Sequence, residues 1–444
     1  MGVKLCAVEG DWQRLDSHFL WPGLGYWVPH DILTERRQAT MKYDFTSIID
    51  RHGMDSIAVD GIGHKVWGNE PAAPKEGFDS IPMWVADMNF ATCPAIPAAV
   101  MERTKHPLYG YFLPRDEYYQ SIIHWQTKRN GFAGLKREYI GYENGVHGCV
   151  TSAVQTLSAP GDKILLHSPT YVGFRADVEG LGRKSVYSPL KRDEHGVWRM
   201  DYEDMDRKLK KYHIHLAIFC SPHNPTGRVW ERWELEKAME VYEANQCLVI
   251  SDEIWADITY TGSQHIPTLM VSPWAREHTV AVYAPSKTFN LAGLIGSYHI
   301  IYNDYLRDRV TAWGDATHYN EMNVLSMHAL IGAYSHEGQA WTEELLQVLE
   351  GNCKYAYEHI RDHYQGVFAA MPQGTYMLFL DLTDYCKRTG RTLDEVIKAG
   401  WDVGVGWQDG RAFNGPCHIR MNLASPLSRI QEAFDRLDNY VFHG

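Results

Sequence analysis

The chain has 444 residues, 45% hydrophobic and 22% charged, enough for two or three domains around a large core and ordinary for a globular protein. Lysine and arginine total 43 against 55 aspartate and glutamate, giving a net charge of −12 that argues against a nucleic-acid surface. No apolar run approaches the roughly 18 residues of a membrane span, and the eight scattered cysteines, with no C-x-x-C pair, suit reduced thiols in a cytoplasmic protein.

Residues 1 to about 40 mix Trp12, Phe19, Trp21, Tyr26 and Trp27 with Pro22, Gly23, Gly25 and Pro29, without helical or strand period. Glu9, Asp11 and Asp16 interrupt any signal-peptide layout. Cys6 stands where a myristoylation motif after Met1-Gly2 wants Ser or Thr. Two readings stay open for this stretch: an extension ahead of a start at Met41, or an aromatic arm packed on a partner subunit. A regular pattern begins at Met41, and residues 41–95 read as a segment contributing to a smaller domain.

Residues 96–325 read as a large α/β domain. Strand candidates are Lys163 to His167, Leu216 to Ser221, Cys247 to Ser251, Thr279 to Tyr283 and Ser297 to Tyr302. Each is short, apolar and bounded by Gly, Pro, Asn or Asp, the pattern of buried parallel strands. Glu231 to Asn245 reads as a helix with Leu235, Ala238, Met239 and Tyr242 on one face. Alternation of this kind predicts a doubly wound, mostly parallel sheet. Residues 326–444 predict a smaller α+β domain, with helices over Trp341 to His363 and Leu393 to Ala399. Its strands are Thr375 to Leu380 and His418 to Asn422. His213 and His215 lack further ligands at metal spacing and read as structural or surface residues, so no metal site is expected.

Three strand candidates end in distinctive groups: Leu216 to Cys220 in Ser221-Pro222-His223-Asn224-Pro225-Thr226-Gly227, Cys247 to Ile250 in Ser251-Asp252-Glu253, and Thr279 to Tyr283 in Ser286-Lys287. If the strands are parallel, Asn224, Asp252 and Lys287 share one rim of the sheet, where open α/β folds place their ligands. A lysine there can form an imine. An acidic partner for a ring nitrogen completes what pyridoxal 5'-phosphate (PLP) requires, and Asn224 can serve the ring oxygen. Glu143-Asn144-Gly145-Val146-His147-Gly148 predicts a glycine-containing turn leading into a helix over Thr151 to Leu157, whose N–H groups suit a phosphate.

Asn224-Pro225-Thr226-Gly227, Ser251-Asp252-Glu253-Ile254 and Ser286-Lys287-Thr288-Phe289-Asn290-Leu291-Ala292-Gly293 together resemble the fold-type I PLP-dependent enzymes. With Trp84-Val85-Ala86-Asp87-Met88-Asn89-Phe90 and Tyr109-Gly110-Tyr111, the chain is similar to the MalY/PatB-type cystathionine β-lyases of the class I/II aminotransferase superfamily. The resemblance runs from about Met41 to the C-terminus. It implies that Lys287 holds the cofactor and shuttles the Cα proton, Asp252 pairs with the pyridine nitrogen and Asn224 contacts the ring oxygen. Tyr171 stacks on the ring, while Ser286 and the backbone of Val146 and His147 join the cofactor-binding set. It also implies a homodimer in which Tyr111 reaches the neighbouring subunit's phosphate, and an Arg420 that grips the substrate α-carboxylate. The implied reaction converts a cysteine thioether into pyruvate, ammonia and a thiol. An aminotransferase on the same residues, or a PLP-binding regulatory protein, are the alternatives.

The chain departs from the family in three places. Asn89 replaces a usual Asp, no arginine follows the lysine motif within Leu294-Ile295-Gly296-Ser297, and Trp255 stands where aminotransferases often have a tyrosine. Trp84 to Phe90 and Trp313 to Glu321 read as loops shaping the pocket.

Overall fold

The computed structural model describes residues 41–442, so the extension or arm expected over residues 1–40 lies outside the described residues. Seven strands form the main sheet: β1 (Ile140–Glu143), β2 (Lys163–Ser168), β3 (Lys184–Pro189), β4 (Leu216–Cys220), β5 (Leu248–Asp252), β6 (Thr279–Tyr283) and β7 (Ser297–Ile300). Their order is β1-β7-β6-β5-β4-β2-β3. The run from β6 to β3 is parallel, whereas β7 is antiparallel to both β6 and β1.

All five residues of β4 are buried, as are all five of β6. Such uninterrupted apolar strands form where helices cover both faces of a sheet. On one face, Val150, Phe174 and Val310 from helices Gly145–Leu157, Val172–Gly180 and Asp304–Thr317 pack with Ile218 and Ile250. On the other, Leu209, Leu235 and Ala275 from helices Tyr202–Tyr212, Arg232–Ala244 and Pro273–His278 pack with Ala217 and Val249. Glu231 and Glu234 close a capping box that starts Arg232–Ala244 almost where the sequence predicts.

A second, antiparallel sheet holds β8 (Phe368–Ala369), β9 (Met377–Asp381), β10 (Gln408–Asp409) and β11 (His418–Asn422), ordered β8-β9-β11-β10. Helices His336–His363 and Leu427–Tyr440 back it through Leu345, Leu349, Phe434 and Leu437. The register sets Phe379 and Gln408 opposite Arg420 on either side of β11.

Several expectations need correction. The strand expected over Ser297 to Tyr302 ends at Ile300 and runs antiparallel, because it returns between two edges instead of following a crossover helix. The expected turn through Gly145 to Val150 is already helix, since α-helix begins at Gly145 and not at Thr151. Trp313 to Thr317 are helical as well, leaving only the following residues to loop. Cys386 and Cys417, far apart in sequence, bring their sulfurs to 3.9 Å as free thiols. No described helix is long and apolar enough to cross a membrane.

Candidate active site

The parallel register of β4, β5 and β6 decides where the chemistry sits. Cys220 is level with Asp252, and Asp252 with Val282, so the carboxyl ends of three neighbouring strands open at the same height. Asn224, Asp252 and Lys287 follow those ends and line one chamber of about 280 Å³. The expected common rim is therefore present.

The chamber's other walls come from the start of helix Gly145–Leu157, from Tyr171, from Ser286 and from Trp255. Gly145 has φ +74°, a conformation open to glycine, which lets the chain turn from β1 into the helix within one residue. Gly145, Val146 and His147 all line the chamber, so the free N–H groups of the first turn stand beside it. Gly173 permits a second close approach. A Cβ there would come within 2.1 Å of His147 Cε1 and 2.6 Å of Tyr171 Cε1.

Lys287 is half-buried on the chamber wall, and the solvation it loses there pushes its pKa down to about 8, with Arg420 acting in the same sense and Asp87 and Asp252 opposing. Its Nζ donates to the Ala86 carbonyl at 2.8 Å. Burial raises Asp252 to about 6, although the Ile254 N–H donates to its Oδ1 at 3.0 Å and His147 and Lys287 favour the charged form. The pair thus holds an acid and a base whose pKa values have moved toward each other and toward neutrality, as groups buried at functional sites do.

Tyr171 is pushed up to about 12 by burial. Its hydroxyl lies 3.0 Å from His147 Nε2, and His147 Nδ1 lies 2.8 Å from Asp177. The His147 ring is half exposed; the solvation it does lose works against charge, but the hydrogen bond to Asp177 outweighs this and raises the pKa. Arg420 is only 3% exposed. It donates to Asn224 Oδ1 at 3.2 Å, Trp84 O at 2.7 Å and Gln408 Oε1 at 2.6 Å, and burial lowers its pKa to about 10. Among the described residues its buried Nε has no hydrogen-bond partner, a donor left ready for an anion.

Beyond the inner chamber lies a wider cavity of about 1130 Å³, which shares Ala86, His147, Tyr171 and Lys287 with it. Its mouth carries Arg51, whose Nη2 pairs with Asp87 at 2.6 Å and whose Nη1 donates to Asn89 Oδ1 at 2.8 Å. The departure at Asn89 therefore falls on a side chain that helps hold Arg51. Trp255 packs edge-on to Tyr376 at 4.7 Å and lies under Lys287, 5.8 Å from its Nζ. Tyr111 is fully exposed and does not enter this chain's cavity.

Asp87, Asp177, Tyr376, Asn422 and Gln408 escape a reading from sequence. Asp177 sits six positions after Tyr171 on a helix with nothing local to mark it. Tyr376 and Asn422 reach the site only because two sheets meet there. Asp87 alone lies inside a motif, Trp84 to Phe90, that the sequence marks.

An open sheet of this order, reversed only at β7 and carrying its polar groups at the carboxyl ends, is the fold-type I architecture of PLP-dependent enzymes. The chain belongs to the aminotransferase class I and II family, which it matches over residues 81–437. It is 32% identical over 362 residues to cystathionine beta-lyase PatB of Bacillus subtilis (strain 168), covering 81% of this chain and 92% of that relative. To protein MalY of Escherichia coli (strain K12) it is 29% identical over 408 residues, covering 90% and 99%. Among solved structures, the PLP-bound C-S lyase from Staphylococcus hominis superposes with a TM-score of 0.81 at 30% identity, over 91% of this chain and 99% of that one.

Proposed function

We propose that the protein is a PLP-dependent carbon–sulfur β-lyase that converts a cysteine thioether such as cystathionine, with water, into pyruvate, ammonia and a thiol. The observation that carries the reading is the half-buried Lys287, near Asp252 and Arg420, in a chamber opening to a wide cavity. Likeness to the cystathionine and C-S lyases supports the choice of reaction.

The residues fit the cofactor. Lys287 would carry it, Asp252 would face its ring nitrogen, Asn224 its ring oxygen and Tyr171 its ring. The amides of Val146 and His147, with Ser286, would hold the phosphate where no arginine follows the lysine motif. When bound, PLP supplies an electron sink for the substrate's Cα–H bond pair. Arg420 would grip the α-carboxylate through its free Nε and orient that bond toward Lys287. Lys287, whose pKa is lowered to about 8, gives up its own proton more readily than an exposed lysine and would take the Cα proton. The Cβ–S bond then breaks, the C–H electrons become the Cα=Cβ bond, and sulfur leaves with a proton. Water replaces nitrogen in the released enamine to give pyruvate and ammonia.

A cytoplasmic homodimer belongs to the same proposal, with Tyr111 reaching the phosphate of the second copy. Exposed Leu108, Tyr109, Tyr111 and Leu113 form an apolar strip suited to such a contact. Residues 41–95 and 326–444 would compose the smaller domain and residues 96–325 the cofactor-binding one.

Incubation with cystathionine tests the reaction. Continuous release of pyruvate and thiol with no keto acid added as amino acceptor is expected. Product formation that requires an added keto acid as amino acceptor would instead identify an aminotransferase.

A further inference from the structure

The segment Trp84–Met88 has no regular secondary structure, yet each of its five carbonyls receives a side-chain donor. Arg420 Nη2 reaches Trp84 O at 2.7 Å, and Asn422 Nδ2 reaches Val85 O at 2.6 Å and Asp87 O at 2.5 Å. Asn290 Nδ2 reaches Met88 O at 2.9 Å while its Oδ1 accepts from Met88 N–H at 3.0 Å. The central carbonyl, Ala86, takes two donors: Lys287 Nζ at 2.8 Å and the Tyr376 hydroxyl at 3.1 Å.

Sharing of this kind has an electrostatic consequence. A carbonyl oxygen has two lone pairs and can serve two donors, but each donor draws density the other would use. Tyr376 is fully buried, and among the described residues its hydroxyl has no other hydrogen-bond partner. Trp255 packs edge-on against its ring, so the phenol is held in place. Asn290 and Asn422 fix the peptides on both sides, so the Ala86 carbonyl cannot swing toward one donor and away from the other.

We propose that Tyr376 is a positioning residue, which by sharing the Ala86 carbonyl fixes where the free amine of Lys287 rests and how readily it releases its proton. The inference rests on Lys287 being the residue that captures the cofactor. Groups facing that amine are Asp87 and Asp252, which favour its charge, Arg420 and His147, which oppose it, and the uncharged phenol of Tyr376. Tyr376 is the member whose contribution can be removed without changing any charge. Its hydroxyl proton partly offsets the negative end of the carbonyl. Without it the carbonyl serves the ammonium alone, and the amine holds its proton to higher pH.

The test is the pH dependence of cofactor capture by cofactor-free protein, followed as the growth of visible absorbance on mixing with pyridoxal phosphate. The rate tracks the unprotonated fraction of Lys287, so its midpoint reports that amine. Tyr376→Phe should move the midpoint up by about half a pH unit, slowing capture at pH 7 about threefold. Tyr260→Phe is the control, because Tyr260 is another buried phenol that donates to a backbone carbonyl, that of Thr375, next to Tyr376 but away from Ala86. It should leave the midpoint in place. Should Tyr376→Phe not fold, 3-fluorotyrosine at position 376 keeps the shape, strengthens the donor and should move the midpoint down. An unmoved midpoint in the folded variant, or an equal shift in Tyr260→Phe, would overturn the proposal. Capture by Lys287→Ala would refute the lysine assignment itself and is read separately.

Discussion

Asp252 and Lys287 show how lost solvation, as the largest of several influences, can prepare a pair of groups. Both lose solvation, and each is moved toward neutrality, the acid to about 6 and the amine to about 8. For Asp252 the folded pKa lies above the usual 3.8, so its contribution to stability is complete below about pH 4 and is lost as pH rises through 6. For Lys287 the folded pKa lies below 10.5, so stability is regained as pH rises from 8 toward 10.5. In the cofactor-free protein, Asp252→Asn should therefore flatten the decline between pH 4 and 6, by at most about 3 kcal/mol. Urea titrations across that range measure it, and an unchanged slope would mean that Asp252 ionises as freely as in the unfolded chain.

Arg420 allows a cleaner separation of binding from chemistry. Arg420→Gln keeps a polar group beside Asn224 and Gln408 but removes the cation. KM for a cysteine thioether should rise about 100-fold, in line with loss of about 3 kcal/mol from a charge-assisted contact. The visible absorbance of the cofactor-loaded protein should persist, since this arginine is assigned to the substrate. Loss of cofactor would place Arg420 in the wrong role.

At the level of elements, the helix Gly145–Leu157 is the instructive case. Two glycines in four residues look like a turn, because glycine weakens a helix interior by about 1 kcal/mol. Here one is used for conformation and the other for space. Gly145 supplies the positive φ, and a Cβ on Gly148 would come within 3.2 Å of Tyr319. The helix therefore starts six residues earlier than the sequence suggests. Gly173→Ala tests the neighbouring approach. Its methyl would displace His147 and Tyr171, both side-chain contacts, so the melting temperature should change by only a few degrees. Affinity for PLP should fall about 10-fold in equilibrium titrations. Unchanged affinity would show that neither ring is needed where it stands.

The strand ends were readable because buried parallel strands leave continuous apolar runs followed by abrupt polar residues. That signal located Asn224, Asp252 and Lys287 together. It failed for β1 and β3, where Gly141, Lys184 and Ser185 dilute the pattern, and it carried no information about direction, so the reversal of β7 went unseen. Arg51, Asp177 and Tyr376 were invisible for another reason. Their partners lie in distant segments, and pairing across 36 or 290 residues leaves no local mark.

Across the whole molecule, the site is assembled from both ends of the described chain. Trp84 to Asn89 come early, Lys287 from the middle, and Arg420 and Asn422 from the last strand. A second copy is proposed to add Tyr111. Sedimentation should give about twice the 50.9 kDa chain mass. Tyr111→Ala should weaken cofactor retention about 10-fold while leaving a separately folded subunit intact. Monomers with full cofactor affinity would remove the dimer from the mechanism.

The position of β11 also sets a timetable. The residues on β4, β5 and β6 leave the ribosome more than a hundred residues before Arg420. A nascent chain stopped ahead of His418 would already carry Asn224, Asp252 and Lys287, but not the arginine or asparagine that secure Trp84, Val85 and Asp87. Synthesis thus makes the residues proposed to hold the cofactor first and the one proposed to hold the substrate last. The pocket is closed by the last described strand to be made.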